Sequence, residues 1–200
     1  SPPEFAGHHD PHVWMDVSRW MKAVEAVAEA LAGYDAANAS LYRENAKGYL
    51  AELARLHEYA VTSIGSIPEK QRVLVTAHDA FNYFGRAYGV DVRGLQGIST
   101  ATEAGTADVR ELAAFVAERR LPALFVESSV SPRAIEAVRA AVRSRGFEVR
   151  IGGSLYSDAL GGPGSGADTY EGMIRANVDT VVDGLNGTAD TAARRVNPNR

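Results

Sequence analysis

The stretch AANASLYRENAKGYLAELARLHEYAVTSI, residues 36–64, carries Leu41, Tyr42, Tyr49, Leu50, Leu53, Leu56, Ala60 and Ile64 at helical spacing. At ~1.5 Å per residue such a helix would be roughly 43 Å long, more than the width of a small domain. A helix of that length either enters a coiled coil or bridges two lobes. A single one without sustained heptads favours the bridge. The rest of the chain is read outward from it.

Upstream, Val17, Trp20, Met21, Val24, Val27, Ala28 and Leu31 predict a helix from Asp16 to about Leu31, with Gly33 as its stop. Downstream the period changes. RVLVT (72–76) predicts a strand, DAFNYFGRAY (79–88) a helix closed by Gly89, and VDVRGL (90–95) a second strand. Asp108 and Glu111 are spaced as a capping box for a helix to about Arg119. ALFVE (123–127) predicts a third strand. Ser131 and Pro132 open a helix that Gly146 ends, and EVRIGG (148–153) predicts a fourth strand. Beyond the glycine-rich GGPGSG (161–166), read as a mobile connection, Asp168 and Glu171 form another capping-box pair for a last helix to about Leu185. Strands alternating with helices of this length predict an α/β fold: a parallel sheet flanked by helices.

The 200 residues suffice for one sizeable domain, or one domain and a piece of another. The 21 Lys and Arg form no long basic run and the formal net charge is −4, which argues against a nucleic-acid partner. Cysteine is absent, so disulfides and thiolate metal sites are excluded. No apolar run approaches the ~20 residues that span a bilayer. The opening SPPEFAGHHDP reads as a loop entered midway, so the chain is expected to begin inside a larger protein. NGTADTAARRVNPNR (186–200) reads as a polar tail.

HDPHVWMD (9–16) places three of the five histidines, His8, His9 and His12, in or beside one short segment stiffened by Pro11 and Trp14. In open α/β sheets ligands bind beyond the carboxyl ends of the strands. His78 follows the first strand, Glu127 ends the third, and Asp158 lies just past the fourth. Taken singly, each has an ordinary reading. His78 suits a helix entry capped by Asp79, Asp158 a turn, Glu127 a group satisfying backbone donors, and His12 a hydrogen bond inside its own turn. Their shared location points to a site, and imidazole with carboxylate suits zinc or manganese. His8 and His9 read as a solvated loop, His57 as a surface or packing residue. The glycines at 161–166 lack the Lys-Ser/Thr of a phosphate loop, and Ser128 and Ser129 lack a G-x-S-x-G turn.

With these residues in view, the chain resembles the metal-binding solute-binding proteins of zinc and manganese ABC transporters, the TroA and ZnuA type. DPHVWMDV (10–17), TAHDAFNYFGRAYG (76–89), GLQGISTATEA (94–104), LPALFVESSVSPRAIEAV (121–138), IGGSLYSDALG (151–161) and TYEGMIRANVDTVVDGL (169–185) follow in family order. The resemblance implies two α/β lobes joined by one long helix, with the metal in the cleft. Residues 1–34 would then end the N-terminal lobe, 35–65 form the interlobe helix, and 66–200 the C-terminal lobe. It implies His12, His78 and Asp158 as metal ligands, with a further histidine upstream of Ser1, and Glu127 as a supporting residue. In manganese-selective members a glutamate stands at the position of His78, so the histidine here favours Zn²⁺ over Mn²⁺. The expected protein is a monomeric, non-enzymatic receptor on the periplasmic or extracellular face of the membrane, lipid-anchored in some members, passing its ion to a permease. The rival readings are a zinc hydrolase with Glu127 as general base, and a surface adhesin indifferent to the ligands.

Overall fold

The structure is a computed structural model that describes residues 9–98 and 104–186. His8, residues 99–103 of the GLQGISTATEA segment, and the tail beyond Asn186 lie outside the described residues.

Helix α1 spans Val17–Tyr34, and the longest helix, α2, spans Ala39–Gly65. Asp16 caps α1, its Oδ1 accepting the N–H groups of Ser18 at 2.9 Å and Arg19 at 3.3 Å. That side chain is used locally. The helix runs through Gly33, and Asp35 ends it by donating its N–H to the Leu31 carbonyl. The expected start of α2 at Ala36 is a 3-10 turn, Ala36–Asn38. Asp35 shapes this turn, accepting from Asn38 at 2.8 Å and from the Tyr42 hydroxyl at 2.9 Å. The buried residues of α2, Leu53, Leu56, Ala60 and Ile64, all lie in its second half. Leu41, in its first half, is exposed.

Strand β1 is Val73–His78, α3 Asn82–Tyr88, β2 Asp91–Gln96, α4 Thr106–Arg119, β3 Ala123–Glu127, α5 Arg133–Arg143, β4 Arg150–Leu155 and α6 Tyr170–Asn186. Helix α3 starts later than expected because Ala80 turns back to the His78 carbonyl before the helix begins. It ends as expected on Gly89, whose φ of 72° is the left-handed conformation glycine adopts without strain.

Two capping assignments change. Asp108 is the third residue of α4 and accepts the Gly105 N–H at 2.7 Å, so Gly105 is the N-cap and only the acidic half of a capping box is formed. Before α6, Thr169 Oγ1 accepts the Gly172 N–H, while Asp168 instead closes the glycine-rich loop by accepting from Gly164 at 2.8 Å. That loop is also fastened by Gly161 donating to Ala167 at 2.8 Å. A single acidic residue near a helix start cannot signal in sequence which of these roles it takes.

All strand pairing is parallel. Among the described residues the hydrogen-bonded ladders are two, β1 with β2 and β3 with β4, and β1 runs beside β3. The alternation of strand side chains builds a core on each face. Leu74, Ala123, Phe125 and Leu155 join the core under α2, α3 and α6. Val73, Val75, Ala77 and Leu124 join the core under α4 and α5. Helices on both faces leave the carboxyl ends of the strands as the place where polar side chains converge.

Candidate metal centre

Strand β1 runs beside β3, and their last residues, His78 and Glu127, meet at the same end of the molecule. The loop leaving β4 adds Asp158. Asn177 of α6 fixes the root of that loop, its Oδ1 accepting the Tyr156 N–H and its Nδ2 donating to the Tyr156 carbonyl, both at 2.8 Å. His12 comes from the other end of the chain. The 3-10 turn Val13–Met15 carries Trp14, which donates its indole N–H to the Ser157 carbonyl at 3.0 Å. The Tyr170 hydroxyl donates to the Trp14 carbonyl at 2.8 Å, and the Tyr170 ring stacks on Trp20. Trp14 is therefore the tie between the His12 segment and the Asp158 loop.

One ligand atom each from His12, His78 and Asp158 lies within 4.8 Å of the others. His12 Nε2 is 3.3 Å from Asp158 Oδ1, and His78 Nε2 is 3.4 Å from Asp158 Oδ2. The two imidazoles meet edge to face at 5.5 Å between centroids. His12 and His78 are 3% and 1% exposed. The Asp158 side chain is 37% exposed, so solvent reaches the cluster from the carboxylate side.

The far nitrogen of each ring faces a carboxylate. His12 Nδ1 is 2.8 Å from Asp10 Oδ1, which also accepts the His12 main-chain N–H at 3.0 Å. His78 Nδ1 is 2.6 Å from Glu127 Oε2, while Glu127 Oε1 accepts the His78 main-chain N–H at 2.9 Å. A carboxylate at Nδ1 holds the proton there and leaves the Nε2 lone pair for an ion. His12 thus satisfies both of its sequence readings at once: one nitrogen serves its own turn, the other faces the cluster.

The charges follow from this packing. Burial works against ionising Asp10, but hydrogen bonds from the ring and main chain of His12 outweigh it and hold the carboxyl below its ordinary value. Burial likewise opposes charging His78, yet the adjacent Glu127, with Asp158 and Asp79, raises its pKa above the ordinary histidine value.

Glu127 ends its strand and Asp158 lies past the fourth as expected, whereas His78 is not beyond the first strand but its last residue. His78 and Glu127 are buried strand ends, paired with one another. Glu127 is 4% exposed with both oxygens directed at His78, which removes it from the role of general base for a bound water. His9 is exposed, and the His57 ring packs on Tyr88 at 5.6 Å. Two residues around the site escaped the sequence reading, Gly94 and Asn177. Ser129 was weighed only as a nucleophile, and Asp10, two positions before His12 in the ligand-rich HDPHVWMD segment, serves as the partner of the His12 ring. Gly94 carries no signal in the sequence: a Cβ there would fall 2.8 Å from the Asp79 nitrogen and the His78 carbonyl carbon, so β2 approaches the His78 turn only as glycine.

Comparison with known proteins agrees with this architecture. The family model for zinc-uptake complex component A, periplasmic (ZnuA), matches residues 2–184. The zinc-binding protein TroA of Treponema pallidum is 49% identical over 176 residues, covering 88% of this chain and 57% of that protein. The manganese-binding lipoprotein MntA of Bacillus subtilis is 46% identical over 176 residues, covering 88% of this chain and 58% of MntA. The solved structure of T. pallidum TroA superimposes with a TM-score of 0.87 over 92% of this chain and 66% of its own. The chain thus spans less than two thirds of the length of these relatives. With the parallel α/β lobe, the motif order and the match over most of its length in agreement, the chain belongs to the ZnuA/TroA family of zinc and manganese ABC-transporter solute-binding proteins.

Proposed function

We propose that this chain is the metal-holding part of an extracytoplasmic receptor that captures Zn²⁺, with Mn²⁺ as the alternative ion, and delivers it to an ABC-transporter permease. The observation that carries this reading is the convergence of His12 Nε2, His78 Nε2 and the Asp158 carboxylate, with each imidazole backed by its own carboxylate. Two nitrogens and an oxygen are three of the four donors a tetrahedral zinc site takes, and a donor from outside residues 1–200, or water, completes the shell. Asp10, Glu127, Asp158 and Asp79 around two imidazoles draw a cation in. Residues 1–34 close an N-terminal lobe, 35–65 form the interlobe helix and 66–200 the C-terminal lobe. The receptor works as a monomer on the periplasmic or extracellular face. Among the described residues no helix is long and apolar enough to cross a membrane.

The reading is supported by what the relatives' names state. TroA is called zinc-binding and MntA manganese-binding, and both belong to this family. No catalytic role is assigned, since Glu127 is committed to His78. Calorimetric titration of the chain with Zn²⁺ tests the proposal. One ion should bind per chain, and replacing His12, His78 and Asp158 together by alanine should abolish binding. Undiminished binding by that triple variant would overturn the site.

A further inference from the structure

The three donors are not supported alike. His12 and His78 are buried and backed by carboxylates, whereas Asp158 is the exposed donor and stands on a loop. Its support comes from two hydroxyls on Oδ2: Ser157 Oγ at 3.5 Å, the edge of hydrogen-bond range, and a second that sits closer. Ser129, in the turn after β3, donates from Oγ to Asp158 Oδ2 at 2.9 Å. The same Ser129 Oγ is hydrogen-bonded to Ser157 Oγ. Ser128 donates its N–H to the Leu155 carbonyl at 2.9 Å, so the turn is seated on the end of β4. On its other side the loop is gripped by Trp14 through the Ser157 carbonyl.

We infer that Ser129 is a latch: it holds the Asp158 carboxylate across the two imidazoles and so sets the rate at which a bound ion leaves. This rests on the receptor reading above. The terminal torsion of an aspartate is soft, and an exposed carboxylate turns freely unless something fixes its plane. Here Oδ1 faces His12 and Oδ2 faces His78, an arrangement that requires one plane. The Ser129 hydroxyl on Oδ2 fixes it. Of the three donors Asp158 is the one on an exposed loop and held by hydroxyls, so its bond to the ion is the one that the latch governs. Without the latch, the carboxylate swings away more often and dissociation quickens. Association is spared, since the charge that attracts the ion remains. Glu127 ends β3 and Ser129 stands two residues on, in the turn that follows, so a shift of this strand end and its turn would loosen His78 and Asp158 together, giving the receptor a single element through which to release its cargo.

Ser129 is exposed and its replacement leaves the core intact. Co²⁺ serves as the probe, its d–d absorption reporting occupancy and coordination, with stopped-flow mixing against a chelator for dissociation. Ser129→Ala should dissociate about 10- to 100-fold faster, the usual cost of losing a group that orients a ligand. Association and the Tm of the metal-free protein should not change. Ser129→Thr, which keeps the hydroxyl, should behave as the unmutated chain. Unchanged dissociation in Ser129→Ala, or a loss of affinity through slower association, would overturn the latch. If the unmutated chain takes up no Co²⁺, the receptor reading fails and the latch with it. That outcome is seen before any substitution is made and is not confused with the other two.

Discussion

His78 Nδ1 lies 2.6 Å from Glu127 Oε2, and the other nitrogen of the same ring faces Asp158 Oδ2 at 3.4 Å. The imidazole thus stands between two carboxylates, one buried and one open to solvent. The first holds the ring, and the second, in the proposed site, would share the ion with it.

This division of labour separates the two acids by experiment. Asp158→Ala removes a charged donor and should weaken Zn²⁺ binding more than Glu127→Gln, whose effect should be about 10- to 100-fold. Isothermal titration of both variants at one pH gives the comparison. A greater loss at Glu127 would exchange the two roles.

His78→Glu replaces a nitrogen donor by a harder oxygen and adds negative charge. Zinc affinity should fall more than manganese affinity, since imidazole suits the former and carboxylate the latter. Competition titrations at fixed pH measure the ratio. If it stays constant, His78 does not set the preference between the ions.

The raised pKa of His78 gives two opposite pH dependences. Burial alone would lower it, and Glu127, Asp158 and Asp79 outweigh burial. A group whose pKa is raised on folding stabilises the metal-free protein fully below its unfolded value near ~6.5, and that contribution fades as pH rises through the folded value. Metal binding needs the neutral ring, so affinity should keep climbing with pH above ~6.5, past the range where a free histidine has finished titrating. NMR titration of His78 in the metal-free protein should give a lower midpoint in Glu127→Gln than in the unmutated chain. Equal midpoints would show that Glu127 is not the cause.

Asn177 is 1% exposed and meets both main-chain groups of Tyr156. Asn177→Ala leaves the partly buried N–H and carbonyl of Tyr156 without this partner, each costing at most about 1–3 kcal/mol. Urea denaturation should show a midpoint lowered accordingly, and zinc affinity should fall as the root of the Asp158 loop loosens. A stable variant with normal affinity would mean that the loop is positioned without α6.

The order of elements, the parallel strands and the placement of His78, Glu127 and Asp158 at one end of the sheet were legible in the chain. Each rests on local signals: the 3.6 and 2 periods, glycine at α3's end, and the rule that ligands gather beyond the carboxyl ends of parallel strands. His12 was legible as a candidate because Pro11 and Trp14 flank it. Element ends were less so. Gly105 and Thr169, not Asp108 and Asp168, begin α4 and α6, because several polar residues near a helix start compete for the same N–H groups and folding settles which one wins.

Sequence by itself therefore determined which residue types are brought to the carboxyl edge, since periodicity and turn chemistry act over a few neighbouring positions. Tertiary structure alone decided how they are used. Glu127 turns both oxygens onto His78, Ser129 reaches across to Asp158, Asn177 grips Tyr156, and Trp14 ties the start of the chain to Ser157. These contacts join segments far apart in the chain, and they depend on rotamers and burial that exist only once both faces of the sheet are packed.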